Sequence, residues 1–207
     1  MTETGPTVFV VDDDPSVLRS LDRLLRSAGY AVEAYASPRA FLERVQRAPL
    51  DGAGCVVLDL RMPDLGGIEL QEELAQYGCL LPIVFLTGHG DVSSSVRAMK
   101  AGAVDFLTKP CDDTDLIAAV ERALARDAEA RAAREEKRAL QERFEALTPR
   151  EREVCLLVAQ GLLNKQIAAE LGTAEKTVKV HRGRVMEKLG VESLAELVRL
   201  VDRLHGR

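Results

Sequence analysis

Apolar and polar positions over residues 7–122 fall into two patterns that alternate along the chain. The apolar runs TVFVV (7–11), CVVLD (55–59) and PIVFLT (82–87) read as strands, and AVEAYA (31–36) and AVDFLT (103–108) add two more. Between them, apolar residues recur at helical spacing. Val17, Leu18, Leu21, Leu24 and Leu25 precede a closing Gly29, and further helices are predicted around 38–47, 68–76 and 92–101, the last capped by Gly102. Strands alternating with helices predict a five-stranded parallel sheet with helices on both faces, a doubly wound α/β domain. In such sheets ligands bind beyond the carboxyl ends of the strands.

After a helix start at Asp112-Asp113-Thr114, neither proline nor glycine occurs until Pro149. The intervening stretch is rich in Ala, Glu, Arg and Leu, all strong helix formers, and about 34 helical residues would span about 50 Å. Leu116, Ile117, Val120 and Leu124 are predicted to bury one face on the α/β domain. Between Ala125 and Ala139 the only apolar residues are alanines, which argues against a tight coiled-coil seam. Leu140, Phe144 and Leu147 restore an apolar stripe for packing on the last domain or on a second chain. The segment reads either as a solvated helical spacer or as a dimerising linker.

Four short helices follow. Thr148-Pro149-Arg150-Glu151 is a capping box with proline at the first helical position. Val154, Leu157 and Val158 form that helix's inner stripe, and Gly161 ends it. Asn164 opens the second helix and Gly172 closes it. Thr173 is expected to cap the third, residues 174–189, with Val178, Val185 and Leu189 facing inward. Ser193 to Glu196 makes another capping box ahead of Leu194, Leu197, Val198, Val201 and Leu204. Two of these helices are separated by a tight glycine-containing turn, the helix-turn-helix pattern, with 174–189 as its recognition helix. The predicted divisions are 1–124, a helical linker 125–147, and an all-α domain 148–207.

Composition sharpens that division. Of 207 residues, 46% are hydrophobic and 29% charged, as a foldable soluble chain requires. The net charge of −5 is unevenly spread: residues 1–124 carry 11 Lys and Arg against 19 Asp and Glu, whereas 148–207 carry 11 against 8. An acidic first part and a mildly basic last part predict different tasks. No apolar run is long enough to span a bilayer, and the amino-terminal segment has no basic region ahead of its apolar stretch, so neither a membrane role nor a secretory signal is expected. Cys55, Cys79, Cys111 and Cys155 show neither CxxC spacing nor clustered histidines and read as reduced thiols of a cytoplasmic protein.

The candidate chemistry lies at the strand ends. The first strand runs into Asp12-Asp13-Asp14-Pro15, the third ends on Asp59, the fourth on Thr87, and the fifth is followed by Lys109-Pro110. Asp14-Pro15 reads as an N-cap with proline at the first helical position, and Asp64 as part of the turn ahead of Gly66-Gly67. Asp12, Asp13 and Lys109 taken singly could each be turn residues. Together, the carboxylates, the hydroxyl and the ammonium converge on one edge of the sheet. Carboxylates gathered this way raise one another's pKa unless a cation neutralises them. Lys109 supplies one charge, and hard oxygen ligands suit Mg²⁺.

The order VVDDDP, VVLDLRMPDLGG, IVFLTGHGD and KAGAVDFLTKP resembles the receiver domain of two-component response regulators, over roughly residues 7–124. That resemblance implies a flavodoxin-like fold in which Asp59 accepts a phosphoryl group from a sensor histidine kinase. It implies Mg²⁺ held by Asp13, Asp59 and the backbone carbonyl of Arg61, with Asp12 assisting through water. It also implies phosphoryl contacts from Thr87 and Lys109, and an aromatic switch at Phe106. Cys111 departs from the family, in which an aromatic often follows Lys-Pro.

On the predicted recognition helix, Lys176, Lys179, His181, Arg182, Arg184 and Lys188 gather positive charge opposite the apolar stripe. LTPREREV, NKQIAAELG and KTVKVHRGRVMEKLG resemble the LuxR-type helix-turn-helix, and the whole chain is similar to FixJ/NarL-type response regulators. The resemblance implies that Lys179, Val180 and Gly183 face bases in double-stranded DNA, with Lys176, Thr177, Arg182 and Arg184 at phosphates. The final helix reads equally as a dimer surface or as core.

The function expected is a phosphorylation-dependent transcription regulator that pairs on phosphorylation, binds promoter half-sites and engages RNA polymerase, with activation of transcription as the output. A phosphatase or phosphotransferase with an aspartate nucleophile is the enzymatic alternative. A phosphatase resembling the haloacid dehalogenase group would need an acid two residues after the nucleophile, where this chain has Arg61. A receiver used only as an interaction module is a third reading, against which the intact acid cluster argues.

Overall fold

The structure, a computed structural model, describes residues 5–48, 50, 52–88 and 92–205, with the side chains of 92–94 and 205 left aside. His89, Gly90 and Asp91 of the third motif, IVFLTGHGD, lie outside the described residues. The chain forms two compact units that divide between Ala130 and Arg131.

In the first unit, β1 (Thr7–Val11), β2 (Ala31–Tyr35), β3 (Gly54–Leu58), β4 (Ile83–Thr87) and β5 (Asp105–Thr108) form a parallel sheet in the order β2-β1-β3-β4-β5. Helices α1 (Pro15–Ser27), α2 (Pro38–Arg47), α3 (Gly67–Gln76) and α4 (Val92–Lys100) connect them. The strand pleat sends alternate side chains to opposite faces, and both faces are apolar. Val8, Val10, Cys55, Val57, Val84 and Leu86 join Leu21, Leu25, Leu116 and Val120 in one core layer. Phe9, Val11, Val56, Leu58 and Phe85 join Phe41, Leu70 and Leu74 in the other. Burial on both faces explains why β3 and β4 read as unbroken apolar runs.

The cap of α1 follows the sequence. Asp14 accepts the Ser16 N–H at 2.7 Å, and Pro15 takes the first position of α1. That bond and a second from the Ser16 hydroxyl hold the Asp14 carboxyl below its ordinary value.

Helix α5 runs unbroken from Asp113 to Glu145. Its early turns bury Leu116, Ala119, Val120 and Ala123 against the sheet. Its last turn belongs to the second unit, where Phe144 and Leu147 join the core of α6 (Pro149–Ala159), α7 (Asn164–Glu170), α8 (Glu175–Leu189) and α9 (Leu194–His205). The stripe regained at Phe144 is thus spent on this chain's own helical domain. Leu197, Leu200 and Val201 of α9 are buried there too. The expected Thr173 cap is not formed. Thr173 donates its backbone N–H to Ala168 at 2.9 Å in the turn after α7, and α8 starts from Ala174 without a side-chain cap.

Candidate functional site

The sheet order reverses between β1 and β3: β2 lies on one side of this pair and β4 on the other. Connections that diverge in this way leave a crevice at the carboxyl ends of the two strands. Val11 pairs with Leu58, so Asp12 and Asp59 leave the sheet side by side. The Asp59 N–H prolongs the ladder with a 2.9 Å bond to the Val11 carbonyl. Asp12, Asp13 and Asp59 bring carboxylate oxygens within 4.8 Å of one another. Asp12 is 2% exposed and Asp59 9%.

Lys109 enters the same crevice, with its Nζ 2.5 Å from Asp12 Oδ2 and 3.3 Å from Asp59 Oδ2. Its backbone N–H donates to the Thr87 carbonyl at 2.7 Å, which ties the chain beyond β5 to the end of β4. Thr87 is buried at that end, and the Lys109-Pro110 peptide is cis. Cys111 is partly buried against the α5 side of the core. Burial raises the Asp12 carboxyl above its ordinary value, and the opposing bond from Lys109 does not cancel it. Burial alone would lower Lys109, but its bond to Asp12 and the charges of Asp59 and Asp12 hold it above its ordinary value. The ammonium therefore stays charged. One ammonium does not balance three carboxylates, and the remaining hard oxygens fit a small divalent cation.

The turn beneath Asp59 is fixed by backbone. The Gly67 N–H donates to the Leu60 carbonyl at 2.9 Å, and Asp64 takes a left-handed φ of 69°. A Cβ on Gly67 would stand 2.3 Å from the Asp59 carbonyl oxygen and 3.0 Å from the Phe85 ring. A Cβ on Gly66 would meet the carboxylate tip of Glu69 at 2.3 Å, the mobile end of a side chain, with backbone no nearer than 3.6 Å. The two glycines are therefore unequal: Gly67 is required where α3 starts under Asp59. Arg61 is exposed, and its N–H lies 3.4 Å from Asp59 Oδ1. Phe106 packs on Phe85 with ring centroids 6.3 Å apart. Phe85 thus borders both the turn below Asp59 and the aromatic on β5.

In the second unit, Val178, Val185 and Leu189 point α8 into the core. Lys176, Thr177, Lys179, Val180, Gly183 and Arg184 are exposed on the remaining surface. Arg182 is half-buried and donates to Asn164 Oδ1 at 3.3 Å, which links α8 to the start of α7. Two cations expected on the outer face are elsewhere. Positions 181 and 188 each follow a core residue by three and therefore flank the inner stripe. His181 Nδ1 is buried, and Lys188 Nζ lies 2.6 Å from Glu151 Oε2.

Glu151 also accepts the Thr148 N–H at 2.9 Å while its own N–H donates to Thr148 Oγ1, the capping box read from sequence. The Lys188 and Thr148 bonds hold its carboxyl at about 2, against an ordinary 4.5. The stability this adds is complete above pH 4.5 and is lost as pH falls through about 2. Glu151→Gln is therefore expected to lower the melting temperature of the helical domain at pH 7 and to flatten its acid dependence between those values. Thermal melts across pH test this, and an unchanged acid dependence would exclude the ion pair as its source.

The response regulator receiver domain family matches residues 8–121, and the luxR family of bacterial regulatory proteins matches residues 145–201. This chain is a response regulator with a LuxR-type DNA-binding domain. Nodulation protein W of Bradyrhizobium diazoefficiens is 50% identical to this regulator over 201 residues, covering 97% of the chain and 87% of the relative. Transcriptional regulatory protein FixJ of Azorhizobium caulinodans is 46% identical, covering 97% and 93%. Among solved structures, response regulator StyR superposes with a TM-score of 0.82 at 53% identity, covering 96% of this chain and 98% of StyR. Full-length FixJ from B. japonicum gives 0.59 at 41%, covering 99% of each. Among the described residues, no helix of the regulator is long and apolar enough to cross a membrane.

Two features of the regulator's receiver escape a reading based on apolar spacing. Asp127 is buried on α5 and accepts the Gly54 N–H, at the amino end of β3, at 3.1 Å. It continues the stripe of Val120 and Ala123 one turn beyond Leu124, where a carboxylate looks like solvated surface. Arg122 on α5 pairs with Asp105 at the start of β5. Only the spacing 120, 123, 127 signalled the first of these in the sequence.

Proposed function

We propose that Asp59 is the phosphoacceptor of this regulator and that its phosphorylation by a sensor histidine kinase controls promoter binding. The observation that carries this reading is the buried Asp59 carboxylate at the β1/β3 crevice, within reach of the Lys109 ammonium that also holds Asp12. In the transfer, an Asp59 oxygen bonds to phosphorus as the bond from phosphorus to the kinase's imidazole nitrogen breaks. The nitrogen keeps the electron pair, and the ring leaves as neutral imidazole with one proton taken up. Lys109 and the Thr87 hydroxyl receive the phosphoryl oxygens, which suits their junction at the Thr87 carbonyl. Asp12, Asp13, Asp59 and the Arg61 carbonyl would hold Mg²⁺, which neutralises charge on the transferring group when bound.

Capture of the phosphoryl group draws Thr87 inward and opens space for Phe106, half-buried against Phe85, to turn further in, changing the 92–106 face. That change favours pairing of receivers, residues 1–124. The linker, 125–147, carries it to the DNA-binding domain, residues 148–207, on two half-sites about 10 bp apart. Lys179, Val180 and Gly183 face bases, Lys176, Thr177, Arg182 and Arg184 serve phosphates, and RNA polymerase is engaged for activation in the cytoplasm. The chemistry is signalling rather than turnover, as the absence of an acid at Arg61 favours. The test is binding to genomic DNA fragments before and after treatment with acetyl phosphate and Mg²⁺. Tighter, salt-sensitive binding after treatment is expected, abolished when the metal is chelated during phosphorylation. Equal binding in both states would defeat phosphorylation control.

A further inference from the structure

Gly183 sits in the middle of α8, where glycine weakens a helix relative to alanine. No packing demand accounts for it, because a Cβ there meets nothing within 4 Å. The helix positions opposite the buried stripe of Val178, Val185 and Leu189 are Lys176, Val180, Gly183 and Glu187. Val180 is 47% exposed, an apolar side chain left in water on an otherwise charged surface. Val180 and Gly183 are one turn apart, so a branched apolar wall adjoins a patch of bare helix backbone. Lys176 and Arg184 flank them and can neutralise phosphates, with the base-facing Lys179 exposed beside Val180.

Within the major groove, the apolar group displayed by the bases is the 5-methyl of thymine. We propose that Val180 and the space left by Gly183 form a notch that reads a thymine methyl, making these two positions the determinants of an A·T pair within each half-site. The proposal rests on the DNA-binding reading above and specifies its chemistry. Valine offers no hydrogen bond, so the base is chosen by apolar contact, and Gly183 lets the helix come close enough for that contact. Any side chain at 183 would hold the helix off the base edge while strengthening the helix itself.

The experiment uses the full chain, phosphorylated, and duplexes enriched by it from a random-sequence pool. One enriched duplex is resynthesised with each thymine in turn replaced by deoxyuridine, which removes only the methyl. One position per half-site is expected to lose about fourfold in affinity, the effect of one buried methyl-sized group. Val180→Ala should abolish the difference between thymine and deoxyuridine at that position. Gly183→Ala should raise the melting temperature of the helical domain by about 4–8 °C and weaken binding to the same duplex. A purely structural role for Gly183 would not move these two readouts in opposite directions. Indifference to deoxyuridine at every position, or Gly183→Ala binding as tightly as the parent, would overturn the notch while leaving DNA binding intact. Failure to enrich any duplex would overturn the DNA-binding reading and the notch with it.

Discussion

Asp59→Asn is expected to leave the receiver folded but to lower phosphoryl uptake from acetyl phosphate by about 10³-fold or more, the scale on which loss of a nucleophile is felt. The amide has the carboxylate's shape, so the ladder bond from the residue-59 N–H to Val11 survives. It lacks the negative charge that makes a carboxylate oxygen nucleophilic towards phosphorus. Lys109 keeps its closer partner, Asp12, so the crevice does not collapse. Asp13→Asn is expected to give a different signature: it would remove a proposed metal ligand rather than the proposed nucleophile, and high Mg²⁺ should restore part of the rate. Intact-mass measurement over time, with and without excess Mg²⁺, separates the two. Undiminished uptake by Asp59→Asn would place the acceptor elsewhere.

Gly67→Ala is expected to disable the same site without removing a polar group. Its Cβ would stand 2.3 Å from the Asp59 carbonyl oxygen, so backbone has to move. Overpacking of this kind costs about 1–3 kcal/mol, and the displacement falls on Asp59, the proposed phosphoacceptor. Phosphorylation is therefore expected to slow more than the stability loss explains, at temperatures where the variant is folded. Gly66→Ala displaces only the end of Glu69 and should stay within about 0.5 kcal/mol of the parent. Urea unfolding and phosphorylation rates on both variants decide the matter. If they behave alike, close backbone approach is not what sets Asp59.

Periodicity and caps made most of this architecture legible. Alternation of apolar runs with helical spacing gave the five strands, and the Asp14 and Thr148–Glu151 caps gave two helix starts. The convergence of Asp12, Asp13, Asp59 and Lys109 followed from their common place at strand ends. What stayed hidden depended on partners distant in sequence. Lys188 looked like one more cation on a basic helix until Glu151, 37 residues away, was seen beside it. Asp127 looked like solvated linker because its partner is a backbone N–H 73 residues earlier. The inequality of Gly66 and Gly67 is a matter of what lies within 4 Å, which no string of letters records.

The pairing of Lys188 with Glu151 has a consequence for counterions. A cation already neutralised by a buried carboxylate displaces no sodium or potassium from DNA when the protein binds. With Lys176, Arg182 and Arg184 of α8 at phosphates, as proposed, these three charges are expected to contribute about −2.7 per half-site to the slope of log affinity against log salt. Lys176→Ala should make that slope shallower by about 0.9 per half-site. Lys188→Met should leave it unchanged, whatever it does to the melting temperature. A lysine on a DNA-binding helix would thereby be recognised as thermodynamically silent towards DNA, its charge spent on holding the helix in place.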